Sequence, residues 1–330
     1  MAWQSKKISL VVPLYNEQDN VKKLVEEIDT AMRQSGLEYE LILVDDGSTD
    51  GTFSILAGLQ NNHPAMTVIQ LRRNFGQTSA MAAGFEQARG EVIIPLDGDL
   101  QNDPNDIPKL VAKLEEGYDV VSGWRKDRKD RFLTRKIPSW TANYLISKIT
   151  GVSLHDYGCT LKAYRSEVVK HTPLYGEMHR FIPALARWAG ANVAEIVVNH
   201  RPRIHGKTKY GLSRTVKVIL DLITVKFLGS FSTKPLHIFG GLGLLALLGS
   251  FVCAATVLIM KFGYGYSMNR NPLLIVGAVL GMASIQFLLM GLLAEMLART
   301  YHESQKKPIY VIRTILGGSR ETSESESRKG

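Results

Sequence analysis

The first 120 residues alternate short apolar runs with longer charged stretches, and the two have different periods. Residues 8–15 (ISLVVPLY), 39–46 (YELILVDD), 66–72 (MTVIQLR) and 91–97 (EVIIPLD) are continuous Val/Ile/Leu-rich runs ending in polar residues. That is the pattern of strands buried on both faces. Between them, residues 16–36 place apolar side chains at helical spacing in a charged background and stop at Gly36. Residues 48–62 read as a second helix with Ser48 or Thr49 as its cap, and residues 76–90 as a third. Strands and helices in this alternation predict an α/β fold: a mostly parallel sheet with helices on both faces.

The pattern changes completely near residue 236. Residues 236–260 (LHIFGGLGLLALLGSFVCAATVLIM) and 272–294 (PLLIVGAVLGMASIQFLLMGLLA) contain no Lys, Arg, Asp or Glu. Each exceeds the ~20 apolar residues that cross a bilayer core. A buried hairpin of a soluble protein is the alternative, but such a stretch has no polar face to show to water. Two spans are therefore expected, placing both termini on one side. The basic residues before 236, with Arg299, Lys306, Lys307 and Arg313 after the second span, assign that side to the cytoplasm. Gly277 and Gly281 give the second span a GxxxG spacing that permits close helix contact. Residues 133–150 and 213–230 mix apolar, basic and aromatic positions, as amphipathic helices lying on a membrane surface do; an ordinary core-packing helix is the alternative, equally so for 133–150, whereas 213–230, directly before the first span, favours the interface. The expected division is a domain over 1–212, an interface helix over 213–235, a hairpin over 236–298 and a cytoplasmic tail over 299–330.

Charge sharpens this division. Residues 1–120 carry a net −9, residues 121–235 a net +14 and residues 236–330 a net +4, within a total of +9. A basic block ahead of membrane spans points to an anionic membrane or a polyanionic ligand. Nucleic acid is excluded, because no recognition module or aromatic stacking strip accompanies the basic residues. Two cysteines, Cys159 and Cys253, rule out a disulfide scaffold and suit a reducing compartment. No secretory leader is read in MAWQSKKISLVVP, whose apolar run is short and strand-like.

Parallel sheets of this kind bind ligands at the carboxyl ends of their strands, and the polar clusters sit there: Tyr15-Asn16-Glu17, Asp45-Asp46-Gly47, Arg72-Arg73-Asn74 and Asp97-Gly98-Asp99. There is no GxGxxG after the first strand and no Walker motif, so neither standard dinucleotide nor P-loop binding is supported. Asp97 and Asp99, on a turn with glycine between, offer hard oxygens that can share Mg²⁺ or Mn²⁺ with a diphosphate. Asp156 reads either as a reactive carboxylate or as the N-cap of a helix over GCTLKAYR. His155 and His179 lack a second His at ligand spacing and read as structural or phosphate-side donors.

In order and spacing, VVPLYNE (11–17), VDDGSTDGT (44–52), RNFGQTSAMAAGF (73–85) and LDGDLQNDP (96–104) resemble family-2 glycosyltransferases of the GT-A fold. DYGCTLKAYR (156–165), EMHRFIPALA (177–186) and RPRIHGKTKYGLSR (201–214), followed by two spans, narrow the likeness to polyprenyl-phosphate glycosyltransferases. These include the bactoprenol glucosyl, undecaprenyl-phosphate aminoarabinosyl and dolichyl-phosphate mannosyl types. The resemblance covers roughly 8–315. It implies a Rossmann-like catalytic domain that transfers one sugar, with inversion, from a nucleotide-sugar donor to undecaprenyl or another polyprenyl phosphate at the cytoplasmic membrane face. UDP-glucose is the implied donor, with a UDP-aminoarabinose derivative or GDP-mannose as alternatives.

By matching position, the resemblance assigns Pro13, Tyr15, Glu17 and Asp46 to the nucleoside, with Asp46 on the base. It places Asp97 beside ribose and metal, and gives Asp99 and Gln101 as further ligands of Mg²⁺ or Mn²⁺. Arg201, Arg203, Lys207 and Lys209 would meet the lipid phosphate, and Asp156 would serve as general base. A phosphate monoester with its second pKa near ~6 hardly needs one at neutral pH, so Asp156 reads equally as a residue that orients the acceptor or a cation that binds it. Thr208-Lys209-Tyr210 departs mildly from the family's small-Lys-Tyr triplet.

A processive polysaccharide synthase would carry Gln-x-x-Arg-Trp, but Ala184 precedes Arg187-Trp188 where Gln would stand. A non-catalytic membrane scaffold would have no use for the acidic pair or Asp156, and all three are present. The apolar, β-rich residues 308–315 are expected to pack on the soluble domain or on a second subunit, and a homo-oligomer stays open.

Overall fold

The computed structural model describes residues 7–126, 146–147, 150–170, 172, 174, 178–202, 235–265, 271–304 and 309–317. They fall into two compact units, one formed by residues 1–225 with 308–330 and the other by 226–307. The two expected interface helices, apart from Ile146, Ser147 and Thr150, lie outside the described residues, as does the tail after Gly317.

The first unit is built on an eight-stranded sheet. Its strands are β1 (Ile8–Leu14), β2 (Tyr39–Asp45), β3 (Met66–Leu71), β4 (Val92–Pro95), β5 (Val120–Trp124), β6 (Lys162–Arg165), β7 (Val193–Val197) and β8 (Ile312–Leu316), in the order β7-β5-β6-β4-β1-β2-β3-β8. The four strands read from the sequence form its parallel centre, with β1 between β2 and β4 and β2 against β3. β5 and β7 are also parallel, whereas β6 runs antiparallel between β4 and β5. β1 and β2 are buried along nearly their whole length because helices cover both faces.

Those helices are α1 (Val21–Ser35), α2 (Thr52–Gln60), α3 (Gln77–Gln87), α4 (Ile107–Glu115), α5 (Ser166–Lys170) and α6 (Ile182–Trp188). α1 buries Val21, Leu24, Val25, Ile28, Ala31 and Met32; the larger of these side chains each contribute about 1.5–3 kcal/mol by leaving water. α1 ends at Gly36, whose left-handed φ of 67° closes it as the sequence suggests. α2 begins later than expected. Its cap is Gly51, and the Asp50 carboxylate takes the Thr52 N–H at 3.0 Å. Ser48 and Thr49 instead join the β2 loop to the end of β1: Ser48 Oγ accepts from Asn16 N at 2.9 Å, and Thr49 N donates to Asn16 Oδ1 at 2.8 Å.

β8 pairs antiparallel with β3, and Arg72 N donates to Val311 O at 2.9 Å. Residues 312–316 therefore close the sheet edge of their own chain, the first of the two packings expected for this segment. Covering β3 also removes an exposed edge that would otherwise pair with other chains.

The second unit consists of α7 (Pro235–Tyr264) and α8 (Pro272–Ser304) packed against each other. Stretches of 26 and 22 residues within them are long and apolar enough to cross a membrane. Their large apolar side chains point outward, Leu245 at 73% and Phe262 at 78% exposed, a surface suited to lipid rather than water. Gly277 and Gly281 face Cys253 and Ser250 of α7, and Ser250 Oγ donates to Gly277 O at 2.8 Å. The GxxxG spacing thus serves helix contact within this pair. Both cysteines are free thiols.

Candidate active site

Because β3, β2, β1 and β4 are adjacent and parallel, the loops at 72–74, 45–48, 15–17 and 97–101 leave the sheet along one edge. Asn16, at φ 54°, turns the chain out of β1. Glu17 anchors the start of α1: its N–H donates to Thr52 Oγ1 at 2.9 Å, and its Oε2 accepts from Asn20 Nδ2 at 2.6 Å. Pro13 and Tyr15 lie half-buried beside it. Asp46 is buried, and its two oxygens accept the N–H groups of Phe75 (2.7 Å) and Gly76 (2.9 Å). Burial nevertheless keeps its pKa above the usual carboxylate range. Gly47, at φ 66°, lets this loop run against the Arg73 backbone, where a Cβ would collide. The fold therefore brings Pro13, Tyr15, Glu17, Asp46 and Asp97 to one edge, although Asp46 spends part of its acceptor capacity on the neighbouring loop.

The Asp97–Gln101 turn is held from several sides. Asp97 Oδ1 accepts from Gln77 Nε2 at 3.0 Å, and Asp97 N donates to Asn102 Oδ1 at 2.9 Å. Gln101 N donates to Asp99 Oδ1 at 3.2 Å. Leu100 is buried in the core at a left-handed φ of 62°, a strain of order 1–3 kcal/mol of the kind that collects at functional turns. The pKa of Asp97 is pushed up to about 6, first by burial and then by the charge of Asp99; the Thr160 hydrogen bond and the charges of Arg125 and Lys162 oppose this. Among the described residues no group of three His, Cys, Asp or Glu side chains is placed to hold a metal. Two neighbouring carboxylates whose repulsion raises a pKa nevertheless fit a hard cation that takes its remaining ligands from phosphate and water.

Beyond this turn lies a group of cations. Arg125, at the end of β5, donates from Nε to Asp156 Oδ2 at 2.6 Å and from Nη2 to Asp156 Oδ1 at 3.0 Å. Burial alone would lower the pKa of Arg125, but the bond and charge of Asp156 override it and hold the guanidinium above its ordinary value. Asp156 Oδ1 also accepts from Gly158 N at 3.1 Å. The helix-cap reading fails, because residues 162–165 are strand β6. His155 stacks on Trp124 with centroids 4.2 Å apart and bonds Glu195 at 2.7 Å, a structural placement. His179 Nδ1 lies 2.7 Å from Thr78 Oγ1, and its pKa falls to about 3 because of burial and then the charges of Arg180 and Lys162.

Arg201 is engaged elsewhere. Its Nη1 lies 2.5 Å from Glu27 and its Nη2 2.8 Å from Asp103. Its backbone N donates to Gln101 O at 3.0 Å, and its carbonyl accepts from Gln101 Nε2 at 3.4 Å. These contacts bolt the start of the basic 201–214 segment to the acidic turn; binding a lipid phosphate would require Arg201 to leave two carboxylates. Arg203, Lys207 and Lys209 lie outside the described residues.

Sequence reasoning gave no role to Arg125, Gln77 or Thr160. Gln77 and Thr160 stand inside quoted motifs, so the signal was present. Arg125 opens the basic run 125–131 and looks there like one more solvated charge.

A mostly parallel sheet carrying an acidic turn at its carboxyl edge, with the Arg125–Asp156 pair beyond it, is an arrangement able to hold a diphosphate and a hard cation. The pattern of Glycosyl transferase family 2 matches residues 9–172, and the chain belongs to that family. A crystal structure of glucosyl-3-phosphoglycerate synthase from Mycobacterium tuberculosis, in complex with Mn²⁺, UDP and phosphoglyceric acid, shares the fold. Its TM-score is 0.52 at 18% identity, over 68% of this chain and 78% of that one. Within the family the chain falls among the polyprenyl-phosphate glycosyltransferases. It is 48% identical to a dodecaprenyl-phosphate galacturonate synthase of Rhizobium johnstonii, over 94% of both proteins. It is 38% identical to an undecaprenyl-phosphate 4-deoxy-4-formamido-L-arabinose transferase of Pseudomonas paraeruginosa, over 94% of this chain and 90% of the relative. Neither relative is named for glucose, so the UDP-glucose expectation loses its support.

Proposed function

We propose that this enzyme transfers one uronic acid, of the galacturonate type, from its UDP conjugate to a polyprenyl phosphate at the cytoplasmic membrane face, with inversion at the anomeric carbon. The coarser reaction, sugar transfer to a polyprenyl phosphate, follows from family membership. The donor reading is supported by the 48% identity to a galacturonate synthase along nearly the whole chain. The observation that carries the chemistry is the Asp97–Asp99 turn with the buried Arg125–Asp156 pair beyond it.

Asp97 and Asp99, with Gln101 beside them, would hold Mg²⁺ or Mn²⁺. Such an ion would neutralise charge building on the departing nucleoside diphosphate. Gln77 and Asn102 keep the turn in place. The acceptor phosphate is largely dianionic at neutral pH and attacks without a strong base. Asp156, with both oxygens on Arg125, acts by aiming that guanidinium at the reacting anions. Arg203, Lys207 and Lys209 would draw the lipid phosphate to the site. The two apolar helices would anchor the enzyme, with both termini in the cytoplasm by the distribution of Lys and Arg.

The test is transfer in detergent. Purified enzyme, Mg²⁺ or Mn²⁺, polyprenyl phosphate and labelled UDP-galacturonate, UDP-galactose, UDP-glucose and GDP-mannose are combined, and label is counted in the lipid phase. Metal-dependent labelling from UDP-galacturonate is expected. Labelling from a neutral donor alone refutes the donor reading, and a water-soluble polymer refutes the single-transfer reading.

A further inference from the structure

One short loop joins the acidic turn to the Arg125–Asp156 pair. It spans residues 155–160, with Asp156 on Arg125 at one end and the Thr160 side chain bonded to Asp97 at the other. The loop precedes β6 and is neither helix nor strand, so no regular backbone ladder fixes it. Side chains from the two neighbouring strands do so instead.

Glu195, on β7, takes the first end. Its Oε1 accepts the N–H of His155 at 3.0 Å and that of Asp156 at 3.1 Å, and its Oε2 lies 3.1 Å from His155 N and 2.7 Å from His155 Nδ1. Three of these four contacts go to backbone, so pairing with the His155 ring is the smaller part of what Glu195 does. Lys162, on β6, takes the second end: its ammonium donates to the carbonyls of Tyr157, at 3.3 Å, and Cys159. Glu195 and Lys162 both pair with Ser122 of β5, from opposite sides. Cross-strand neighbours share a face of the sheet, so a carboxylate and an ammonium hold the loop from one level of the same face. Fixing the Asp156 N–H also fixes the direction in which its side chain leaves the chain towards Arg125. Hydrogen bonds to an ionised acceptor are the stronger kind, and the Glu195 side chain is only 11% exposed.

We propose that Glu195 is a positioning residue for the transfer: by holding the His155–Asp156 backbone it aims Asp156, and through it Arg125, at the reacting anions, while Lys162 holds the Thr160 end of the same loop against Asp97. The inference rests on the role given to Arg125 above and is independent of which sugar is transferred.

The experiment measures kcat and KM for the full chain in detergent with polyprenyl phosphate, Mn²⁺ and whichever labelled donor the wild type transfers. Glu195→Asp and Glu195→Gln are compared, Glu195→Asp also in an Arg125→Met background. UDP affinity and melting temperature report whether each variant is folded. Aspartate keeps the charge but is one methylene shorter, whereas glutamine keeps the reach: its oxygen can accept both backbone N–H groups and its NH₂ can donate to the Nδ1 of a neutral His155. Glu195→Asp should therefore lower kcat by about tenfold or more, with UDP affinity and the KM values within about threefold. Glu195→Gln should stay within about threefold of wild type. In Arg125→Met, which has nothing left to aim, Glu195→Asp should cost less than about threefold. A role in stability alone predicts the same loss in both backgrounds, and a role of charge alone predicts the larger loss in Glu195→Gln. Either result in folded variants overturns the inference, as does a Glu195→Asp enzyme with wild-type kcat. An Arg125→Met enzyme with wild-type kcat refutes the role given to Arg125, and the aim of Glu195 with it.

Discussion

Replacing Asp156 with Asn separates two roles that sequence alone leaves equivalent. The carboxylate makes a two-point contact with Arg125, at 2.6 and 3.0 Å, with both side chains only about a tenth exposed. Removing one charge of such a buried pair costs about 3–5 kcal/mol, because the other stays buried without compensation. At 2–4 °C per kcal/mol for a domain of this size, the melting temperature should fall by about 6–20 °C. Loss of aim at Arg125 should lower kcat by ~10²–10³. A lost general base would cost about the same, so rate alone does not discriminate, whereas the pH profile does. If Asp156 positions Arg125, the acidic limb of kcat/KM for the acceptor persists in Asp156→Asn, because it reports the acceptor phosphate with its pKa near ~6. In an Arg125→Met background the second substitution should cost less than about threefold, since the two residues act as one unit. A vanished acidic limb, or a full second loss in the double variant, would refute the positioning role and restore Asp156 as base.

Three further outcomes are expected. His179 is buried neutral, with its pKa lowered to about 3 from an ordinary 6.5; the unfolded chain therefore takes up its proton first as pH falls. Stability is complete above pH ~7 and drains away between pH ~6.5 and ~3, by about 2 kcal/mol at pH 5. Melting curves of wild type and His179→Gln over that range should converge toward low pH, and parallel curves would show that another group carries the loss. EDTA should abolish transfer, and Asp99→Asn should lower kcat by about 100-fold while weakening Mn²⁺ binding in the presence of UDP, followed by electron paramagnetic resonance; full activity in EDTA would remove the metal from the reaction. Arg201→Met should lower the melting temperature through lost contacts to Glu27 and Asp103 while leaving the KM for polyprenyl phosphate within about twofold. A tenfold rise in that KM would return Arg201 to the lipid phosphate.

The contacts of the buried cations change how the basic middle of the chain is understood. Its charge suggests a membrane surface or a polyanion. Arg125 and Lys162, however, are turned inward beside Asp97, and Arg201 fastens two segments of the chain together. Positive charge in this protein therefore does more than one job, which a count of Lys and Arg cannot separate.

The sequence by itself determined the parallel centre of the sheet, the helices over it, the two long apolar helices and the edge along which the polar clusters gather. All of these follow from local periodicity: a strand buried on both faces must be apolar throughout, and a span must lack charge. The acidic turn was legible for the same reason, since Asp97 and Asp99 are neighbours in the chain. Only tertiary structure decided who partners whom. Arg125 meets Asp156 across 31 residues and Arg201 meets Glu27 across 174, and no periodicity encodes such pairings. The cap of α2 shows the effect in miniature: Ser48 and Thr49 have the composition of caps, but the nearby end of β1 claims their polar groups first. A buried polar group takes the best-placed partner that the fold offers, whatever its position in the chain.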